Sequence, residues 1–347
     1  MSASAILLMN LGSPDSPTAK ALRPYLSEFL MDERVIDLPL LTRTLLVKGI
    51  IVPFRAAKSA AKYKTIWTDD GSPLLIHTQR LRNMLQQRFE APVYYSMRYG
   101  NPATGLVLHT IQKENSDLKE LIVLPLYPHY AMSSYETAVE QVKHEYKKSG
   151  FRFELKVVPP FYRHPLYISA LAESIRPYLE KPFDHLLFSY HGIPERHIYK
   201  SDCSGLHCLR SADCCTKEFD AHGFCYRHQI ITTTELVAAQ LGLNKSRYSF
   251  SFQSRLGRDA WLKPYTSRQL NAFPGQGIKR LLVVCPAFIS DCLETLEEID
   301  REGREDFLRA GGEYYEMIPA LNEDVAWLDC AATLINEQQT AVVSYSV

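Results

Sequence analysis

The chain has 347 residues, which is long for one hydrophobic core and comfortable for two. Its 39 basic and 39 acidic residues balance, so the charge gives no indication of a nucleic-acid partner. No segment approaches the roughly 20 apolar residues of a membrane span, and the apolar run at 5–9 is too short for a signal-peptide core. We therefore expect a cytoplasmic protein.

Strand-like and helix-like patterns alternate along the first half of the chain. A buried strand is predicted at 5–9, and Ser16 and Pro17 then resemble a helix cap and first helical residue. The next predicted elements are strands at 93–96, 120–124 and 153–158 and helices at 104–114 and 135–148. The apolar segment 38–55 does not fit this alternation. It is either a helix packed on the body or a lip over an apolar ligand that touches the membrane.

The second half continues the same alternation. The predicted strands are 186–190, 248–252 and 280–285, and the predicted helices are 165–179, 233–241, 291–302 and 322–337. Such alternation is typical of parallel sheets covered by helices on both faces. We predict an α/β fold with two Rossmann-like, doubly wound lobes of about four strands each, at 1–160 and 161–347. Ligands of such folds bind beyond the carboxyl ends of the strands.

His191 ends an apolar strand and is followed by Gly192 and Pro194, so it leaves the sheet at its edge. A neutral imidazole there can bind a metal ion or accept a proton near pH 7. The alternative is a histidine that caps the strand or stabilises a turn.

Glu294 also follows a predicted strand. Asp291 and Glu294 have the spacing of a capping box, which is one structural interpretation. Glu294, Glu298 and Glu302 are also four residues apart, so they form an acidic stripe on one helical face. The stripe is either a solvated face or a relay that passes cations or protons.

Other candidate binding residues follow strands 93–96, 120–124 and 248–252. Tyr127 and Tyr130 could line a pocket for a planar apolar ligand, and Ser133 lies near a helix N-terminus that could bind a carboxylate. Arg98 and Arg255 could anchor carboxylates, although Arg98 fits a surface salt bridge equally well. No phosphate-binding glycine loop is present, so no nucleotide is predicted.

Five of the eight cysteines lie in the segment 203–225. They are Cys203, Cys208, Cys214, Cys215 and Cys225. Cytoplasmic thiols stay reduced, so the cluster favours metal ligands over disulfides. No pair has the Cys-x-x-Cys spacing of a zinc finger, and four thiolates can hold a [2Fe–2S] cluster. Structural zinc with mixed histidine ligation and incidental thiols are the alternatives, and the spacing does not decide which four cysteines bind.

Eight motifs in order make the chain similar to a known family. They are LLMNLGSPDSP, RPYLSEFLMDERVI, IWTDDGSPLLIHT, MRYGNPA, LPLYPHYAMSSYETA, FSYHGIPERH, SFQSRLGRDAWLKPYT and CPAFISDCLETLEEI. Together they resemble the ferrochelatases, the terminal iron-inserting enzymes of haem synthesis, from about residue 5 to 335. The resemblance implies two Rossmann-like, chelatase-like lobes around a porphyrin cleft.

The resemblance also implies roles for individual residues. The family's invariant histidine matches His191, and its essential glutamate matches Glu294. The matched porphyrin-site residues are Arg98, Tyr99, Tyr127, Tyr130, Ser133, Glu298 and Glu302. Two departures are Cys292, where some members carry histidine, and Ala287 within the usual Pro-Gly-Phe. Some bacterial members carry an internal cysteine-rich [2Fe–2S] segment, and 203–225 occupies that place.

The resemblance implies a lyase that inserts Fe²⁺ into protoporphyrin IX to give protohaem. In this interpretation His191 and Glu294 are the catalytic pair, and both contact the Fe²⁺ substrate. Coproporphyrin as substrate, another tetrapyrrole chelatase such as a cobalt-inserting enzyme, and a non-catalytic haem or iron sensor are the alternatives. The expected partners are porphyrin and ferrous iron, with peripheral membrane contact left open and the oligomeric state not predicted.

Overall fold

Two parallel four-stranded sheets form the framework of this computed structural model, which describes residues 3–255, 257 and 259–340. The described chain divides into two compact units. Unit 1 comprises 3–126, 132–159 and 328–340, and unit 2 comprises 127–131 and 160–327 without 256 and 258. The predicted α/β class with two parallel sheets is confirmed. The lobe boundaries at 160 and 161 stay a prediction.

The sheet of unit 1 has the strand order β2-β1-β3-β4. Its strands are β1 (Ser4–Ser13), β2 (Val93–Gly100), β3 (Glu120–Pro125) and β4 (Glu154–Val157). β1 pairs on both sides, with Ile6 opposite Val93 and Ile122. A central parallel strand is buried on both faces, which explains the unbroken apolar run at 5–9.

The helices of unit 1 cover this sheet. They are α1 (Ala19–Leu30), α2 (Leu40–Thr44), α3 (Val52–Ile66), α4 (Pro73–Gln86), α5 (Thr104–Glu114) and α6 (Thr137–Ser149), with π-helical turns at Leu45–Ile51 and Met132–Glu136. Most of the terminal helix α12 (Val325–Thr340) also belongs to this unit. Within the segment 38–55, residues 40–55 are helical, but Leu41 and Phe54 are more than 70% exposed there. No described helix is both long and apolar enough to cross a bilayer.

The sheet of unit 2 has the strand order β6-β5-β7-β8. Its strands are β5 (His185–His191), β6 (Tyr248–Gln253), β7 (Arg280–Val284) and β8 (Tyr314–Ile318). Its helices are α7 (Pro165–Leu179), α8 (Glu195–Ser201), α9 (Tyr226–Gln240), α10 (Thr266–Ala272) and α11 (Gly303–Arg309), with a π-helix at Glu294–Glu302 and 3₁₀ turns at Asp220–Phe224, Lys245–Arg247 and Phe273–Gln276. A core that includes Leu187, Val283 and Phe307 packs β5 and β7 against α11.

Several elements differ from the predicted ones. The N-cap of α1 is Thr18, whose hydroxyl accepts the Ala21 N–H, and not Ser16. α9 begins at Tyr226, seven residues before the predicted start at 233. β8, α3 and α4 were not placed from the sequence. The helix predicted at 291–302 is present, but most of it is a π-helix that α11 continues.

A pair of glycines tests how tightly β1 and β2 pack. Gly12 and Gly71 both have φ near +115°, at +112° and +120°. A Cβ on Gly12 would lie 1.8 Å from the Tyr99 carbonyl oxygen, whereas a Cβ on Gly71 would meet nothing within 4 Å. We expect Gly71→Ala to cost about 1–3 kcal/mol from backbone strain alone. Gly12→Ala should cost more than about 4 kcal/mol because the strands must also separate.

Urea unfolding monitored by circular dichroism measures both variants. Equal destabilisation by Gly12→Ala and Gly71→Ala would contradict the close approach of β1 to β2.

Candidate active site

The carboxyl edge of the unit 2 sheet brings several predicted residues together. His191 is the last residue of β5 and pairs with Gln253, the last residue of β6. Glu294 begins the π-helix that follows β7, the other neighbour of β5. Because parallel strands end at the same edge, their loops supply neighbouring side chains. Glu294 lies close enough to influence the titration of His191.

His191 is partly buried at the end of β5. Burial lowers its pKa, and the negative charge of Glu294 acts in the opposite direction. Its ring meets the Phe288 ring edge-on, with centroids 6.1 Å apart. The buried Nδ1 accepts or donates no hydrogen bond among the described residues. The lowered pKa keeps the imidazole neutral near pH 7, the form that can accept a proton or bind a metal ion.

Glu294 is partly buried and contacts a thiol. The Cys292 side chain forms a hydrogen bond with it, and burial together with the Glu294 charge raises the pKa of this thiol. The backbone carbonyl of Glu294 accepts a long hydrogen bond from Gln253 Nε2 at 3.5 Å. Gln253 Oε1 accepts in turn from the Ser189 hydroxyl at 2.6 Å. Gln253 therefore links β5, β6 and the start of the π-helix, a role that the sequence pattern did not indicate.

The acidic stripe lies on the π-helix Glu294–Glu302. π-Helices are rare and are frequent at functional sites. Glu298 is held by two donors, the Ser254 N–H at 2.7 Å and the Ser254 hydroxyl at 2.5 Å. Ser254 adopts φ +65°, a conformation that non-glycine residues keep only where the surrounding structure imposes it. Glu302, at the end of this helix, is also partly buried.

Other acids of the same helix form ion pairs with arginine. Glu297 is buried and pairs with Arg301, and Asp300 pairs with Arg304. The capping-box interpretation of Asp291 is wrong, because no side chain caps this helix. The Asp291 carboxylate instead accepts the Thr295 hydroxyl at 2.8 Å and the Asn322 amide at 2.8 Å. Asp291 thus ties the π-helix to the chain that follows β8.

Arg98 and Tyr99 lie at the end of β2 in unit 1. The Arg98 guanidinium pairs with the Asp32 carboxylate, and its Nε donates to the Thr137 hydroxyl at 2.7 Å. The Tyr99 hydroxyl donates to Asp32 at 2.9 Å, and its side chain is fully buried. Burial alone would raise the pKa of Asp32, but hydrogen bonds from Thr137 and Arg34 N–H and the Arg98 charge together lower it. Arg98 therefore does form a salt bridge, a largely buried one, and porphyrin contact by this pair stays a prediction.

Tyr127 and Tyr130 belong to unit 2, whereas Ser133 lies in the π-helical turn Met132–Glu136 of unit 1. The Tyr130 N–H donates to Gln229 Oε1 at 2.7 Å, and its ring meets Phe224 edge-on at 5.2 Å. Tyr127 is buried and Ser133 is partly buried. Their predicted porphyrin contacts likewise stay predictions.

His129, between these tyrosines, is buried. Burial lowers its pKa to about 3, so it is neutral at pH 7. Its Nε2 lies 2.9 Å from the Thr233 hydroxyl, which donates its own proton to the Tyr162 carbonyl at 2.7 Å. The His129 Nε2 must therefore carry the proton. Its fixed position makes it a structural residue in the packing of α9.

Four of the five clustered thiols are buried, namely Cys208, Cys214, Cys215 and Cys225, while Cys203 is exposed. The sulfur atoms of Cys214 and Cys215 lie 3.9 Å apart. Cys225 forms thiol hydrogen bonds with Cys208 and Cys215. The bond with Cys208 and burial raise the pKa of Cys225 to about 12, although the bond with Cys215 acts in the opposite direction. Four of the cysteines therefore form a chain of side-chain contacts, in which Cys208 contacts Cys225, Cys225 contacts Cys215, and Cys215 contacts Cys214. Cys203 is separate from this set.

The surroundings of these thiols are polar and ordered. The Asp202 carboxylate accepts the N–H groups of His207 and Cys208 at 2.9 and 2.8 Å. Arg227 Nη1 donates to the Cys215 sulfur at 3.0 Å. Among the described residues, no group of three or more His, Cys, Asp or Glu side chains is arranged so that it could hold a metal ion. Four soft donors beside a guanidinium nevertheless match the donor type and charge that an anionic iron–sulfur cluster requires.

The two histidines of this segment, and His228 just after it in α9, each form a hydrogen bond with a backbone carbonyl. His207 and His222 Nε2 donate to the Cys214 carbonyl at 2.7 and 2.9 Å, and His228 Nδ1 donates to the Cys215 carbonyl at 2.7 Å. A histidine that binds a metal ion generally donates its other ring N–H to such a carbonyl, so mixed cysteine and histidine ligation of zinc stays an alternative.

Comparisons with known proteins cover almost the whole chain. The ferrochelatase family model matches residues 3–339. A ferrochelatase of Azotobacter vinelandii is 47% identical over 332 residues, 95% of this chain and 97% of the relative. One of Opitutus terrae is 48% identical, covering 95% and 96% of the two chains. The solved structure of SirB from Bacillus subtilis with Fe³⁺ has a TM-score of 0.54 over 97% of this chain and 96% of its own, at 11% identity, and supports the fold alone.

Proposed function

Because this chain belongs to the ferrochelatase family, we propose that His191 and Glu294 carry the chemistry by which it inserts ferrous iron into a porphyrin. Relatives matched over nearly their whole length support the ferrochelatase function in haem biosynthesis, which makes the chain a lyase. The observation that supports this choice of residues is their place at one edge of the sheet, where Gln253 pairs with His191 and bonds the Glu294 carbonyl.

The reaction replaces two pyrrole N–H protons of the porphyrin with one Fe²⁺ ion. The active site must therefore accept two protons and take the ion from its water shell. A neutral imidazole suits a borderline metal ion and also accepts a proton, while carboxylates suit the hydrated ion. A partly buried histidine beside a carboxylate provides both kinds of group.

The two residues support each other electrostatically. Burial disfavours the imidazolium form of His191, so the ring is available as a base. When the ring takes a proton, the Glu294 carboxylate stabilises the new positive charge. In this proposal either residue can contact the Fe²⁺ substrate, and the pair shares the proton and metal steps.

Glu298 and Glu302 extend the row of carboxylates from Glu294 along the π-helix. The widened turns of the π-helix carry all three glutamates, and Ser254 fixes the Glu298 carboxylate. In this proposal they pass protons or cations between Glu294 and solvent. A non-catalytic haem or iron sensor would have no use for such a row.

We propose protoporphyrin IX as the substrate, with coproporphyrin as the alternative. Porphyrin contacts are assigned to Arg98, Tyr99, Tyr127, Tyr130 and Ser133 from the family motifs. Among these, Arg98 has the charge that a propionate would need, once its bond to Asp32 is shared or exchanged.

A cytoplasmic location with peripheral membrane contact is also proposed. Support comes from the exposed apolar side chains of helical segment 38–55, including Leu41, Leu45 and Phe54, with Lys48 between them. Exposed apolar groups beside a basic residue suit the surface of an anionic bilayer.

For the cysteine-rich segment we propose a [2Fe–2S] cluster held by Cys208, Cys214, Cys215 and Cys225. Their burial, their mutual contacts and the adjacent Arg227 support this set, and the exposure of Cys203 argues for its omission. When bound, such a cluster supplies a one-electron redox centre with visible absorption. Metal binding would deprotonate thiols whose pKa is raised in this structure.

His191→Ala tests the proposed catalytic group. We expect kcat for Fe²⁺ insertion to fall by about 10²–10⁴-fold, because a proton acceptor and metal ligand is lost. Anaerobic assays with protoporphyrin IX and coproporphyrin measure it and also identify the substrate. His144→Ala, an exposed histidine of α6, is the matched control and should retain wild-type kcat. Near-normal turnover by His191→Ala, with porphyrin binding intact, would refute the role of His191.

Single cysteine substitutions test the proposed ligand set. Protein purified without oxygen should contain iron and acid-labile sulfide in equal amounts, about two of each per chain. Cys203→Ser should keep this content and the visible spectrum, whereas Cys215→Ser should lose both. A colourless protein with one zinc, or loss of the spectrum in Cys203→Ser, would overturn the assignment.

A further inference from the structure

The ring of His191 lacks the hydrogen bond that usually orients a functional histidine. Its buried Nδ1 has no hydrogen-bond partner among the described residues. Metal-binding and catalytic histidines are generally held by a bond at their second nitrogen, which fixes the ring direction. Here the Phe288 ring packs edge-on against the imidazole, and the backbone that carries the side chain also constrains its position.

Two hydrogen bonds hold the peptide group that joins His191 to Gly192. The Tyr226 hydroxyl donates to the His191 carbonyl oxygen at 2.9 Å, and the Gly192 N–H donates to the Gln253 carbonyl at 2.8 Å. A Cβ on Gly192 would lie 2.6 Å from that Gln253 oxygen, so the backbone lies directly against β6. Together these two bonds restrict rotation of this peptide, and so they restrict the position of the residue that carries the imidazole.

Tyr226 is itself placed by the cysteine-rich segment. It is buried and directly follows Cys225, at the first position of α9. The next three residues, Arg227, His228 and Gln229, all bond back to the segment, at the Cys215 sulfur, the Cys215 carbonyl and the Gly223 carbonyl respectively. The ring of Tyr226 also packs edge-on against His129, with centroids 6.0 Å apart. The start of α9 therefore connects the thiols with the peptide of His191.

We infer that Tyr226 is a positioning residue for iron insertion, whose hydroxyl holds the His191 peptide so that the imidazole faces Glu294. This inference rests on the proposed catalytic role of His191. The inference also connects the segment 203–225 physically to the active site, because Tyr226 directly follows Cys225 and its position depends on that of Cys225. Small displacements of a reacting group reduce turnover strongly, while substrate binding through other residues is unaffected.

Tyr226→Phe tests the inference, because it removes one oxygen and keeps the ring against His129. We expect kcat to fall by about three- to tenfold, the effect of one buried hydrogen bond, with KM for protoporphyrin IX changed by less than about twofold. Porphyrin affinity, measured by fluorescence quenching, should stay at the wild-type value. Tyr146→Phe is the matched control, since its hydroxyl donates to the Phe153 carbonyl at 2.6 Å within unit 1. Its kcat should equal that of wild type.

The variants are compared at a temperature where circular dichroism shows each of them folded. Unchanged kcat in Tyr226→Phe, an equal loss in Tyr146→Phe, or a rise in KM alone would overturn the positioning role. His191→Ala is measured in the same assay. If it loses turnover while Tyr226→Phe does not, the proposed function stands and the inference fails. If His191→Ala keeps turnover, the proposed role of His191 itself fails.

Discussion

Burial and the negative charge of Glu294 act in opposite directions on the pKa of His191, and the site depends on this balance. Burial withdraws water from the imidazole and favours its neutral form, while the carboxylate favours the protonated form. A ring under both influences can take up a proton and release it again, which a fully desolvated histidine such as His129 cannot do at neutral pH. The fold creates this balance because β5 and β7 are neighbours and end at one edge of the sheet.

The chain after each strand contributes a different part of this balance. The end of β5 supplies His191, and the turn after β6 supplies Ser254, whose two donors hold Glu298. After β7 the backbone enters a π-helix, which presents three glutamates and buries a fourth against Arg301. Asp291 and Asn322 then join the start of that helix to the segment after β8. The acidic row is thus supported by contacts from several strands, and it does not rely on helix propensity alone.

The sequence predicted those features that depend on local pattern. Apolar runs bounded by turns located seven strands, and the place of His191 and Glu294 after strands indicated the edge at which they meet. It missed β8, where Tyr314 and Glu316 interrupt the apolar pattern. It did not distinguish an α-helix from a π-helix at 294–302, because both allow acids four residues apart on neighbouring surface. Nor could spacing show that Cys203 is exposed, that Ser254 bonds Glu298 or that Tyr226 reaches the His191 carbonyl, since these depend on contacts between distant segments.

The most direct measurement is the pKa of His191 by NMR of selectively labelled, iron-free protein, in wild type and in Glu294→Gln. Removing a negative charge that favours the imidazolium should lower the pKa of His191 further. An unchanged His191 pKa in Glu294→Gln would mean that the two side chains do not share one site, and the account of iron insertion given above would be contradicted.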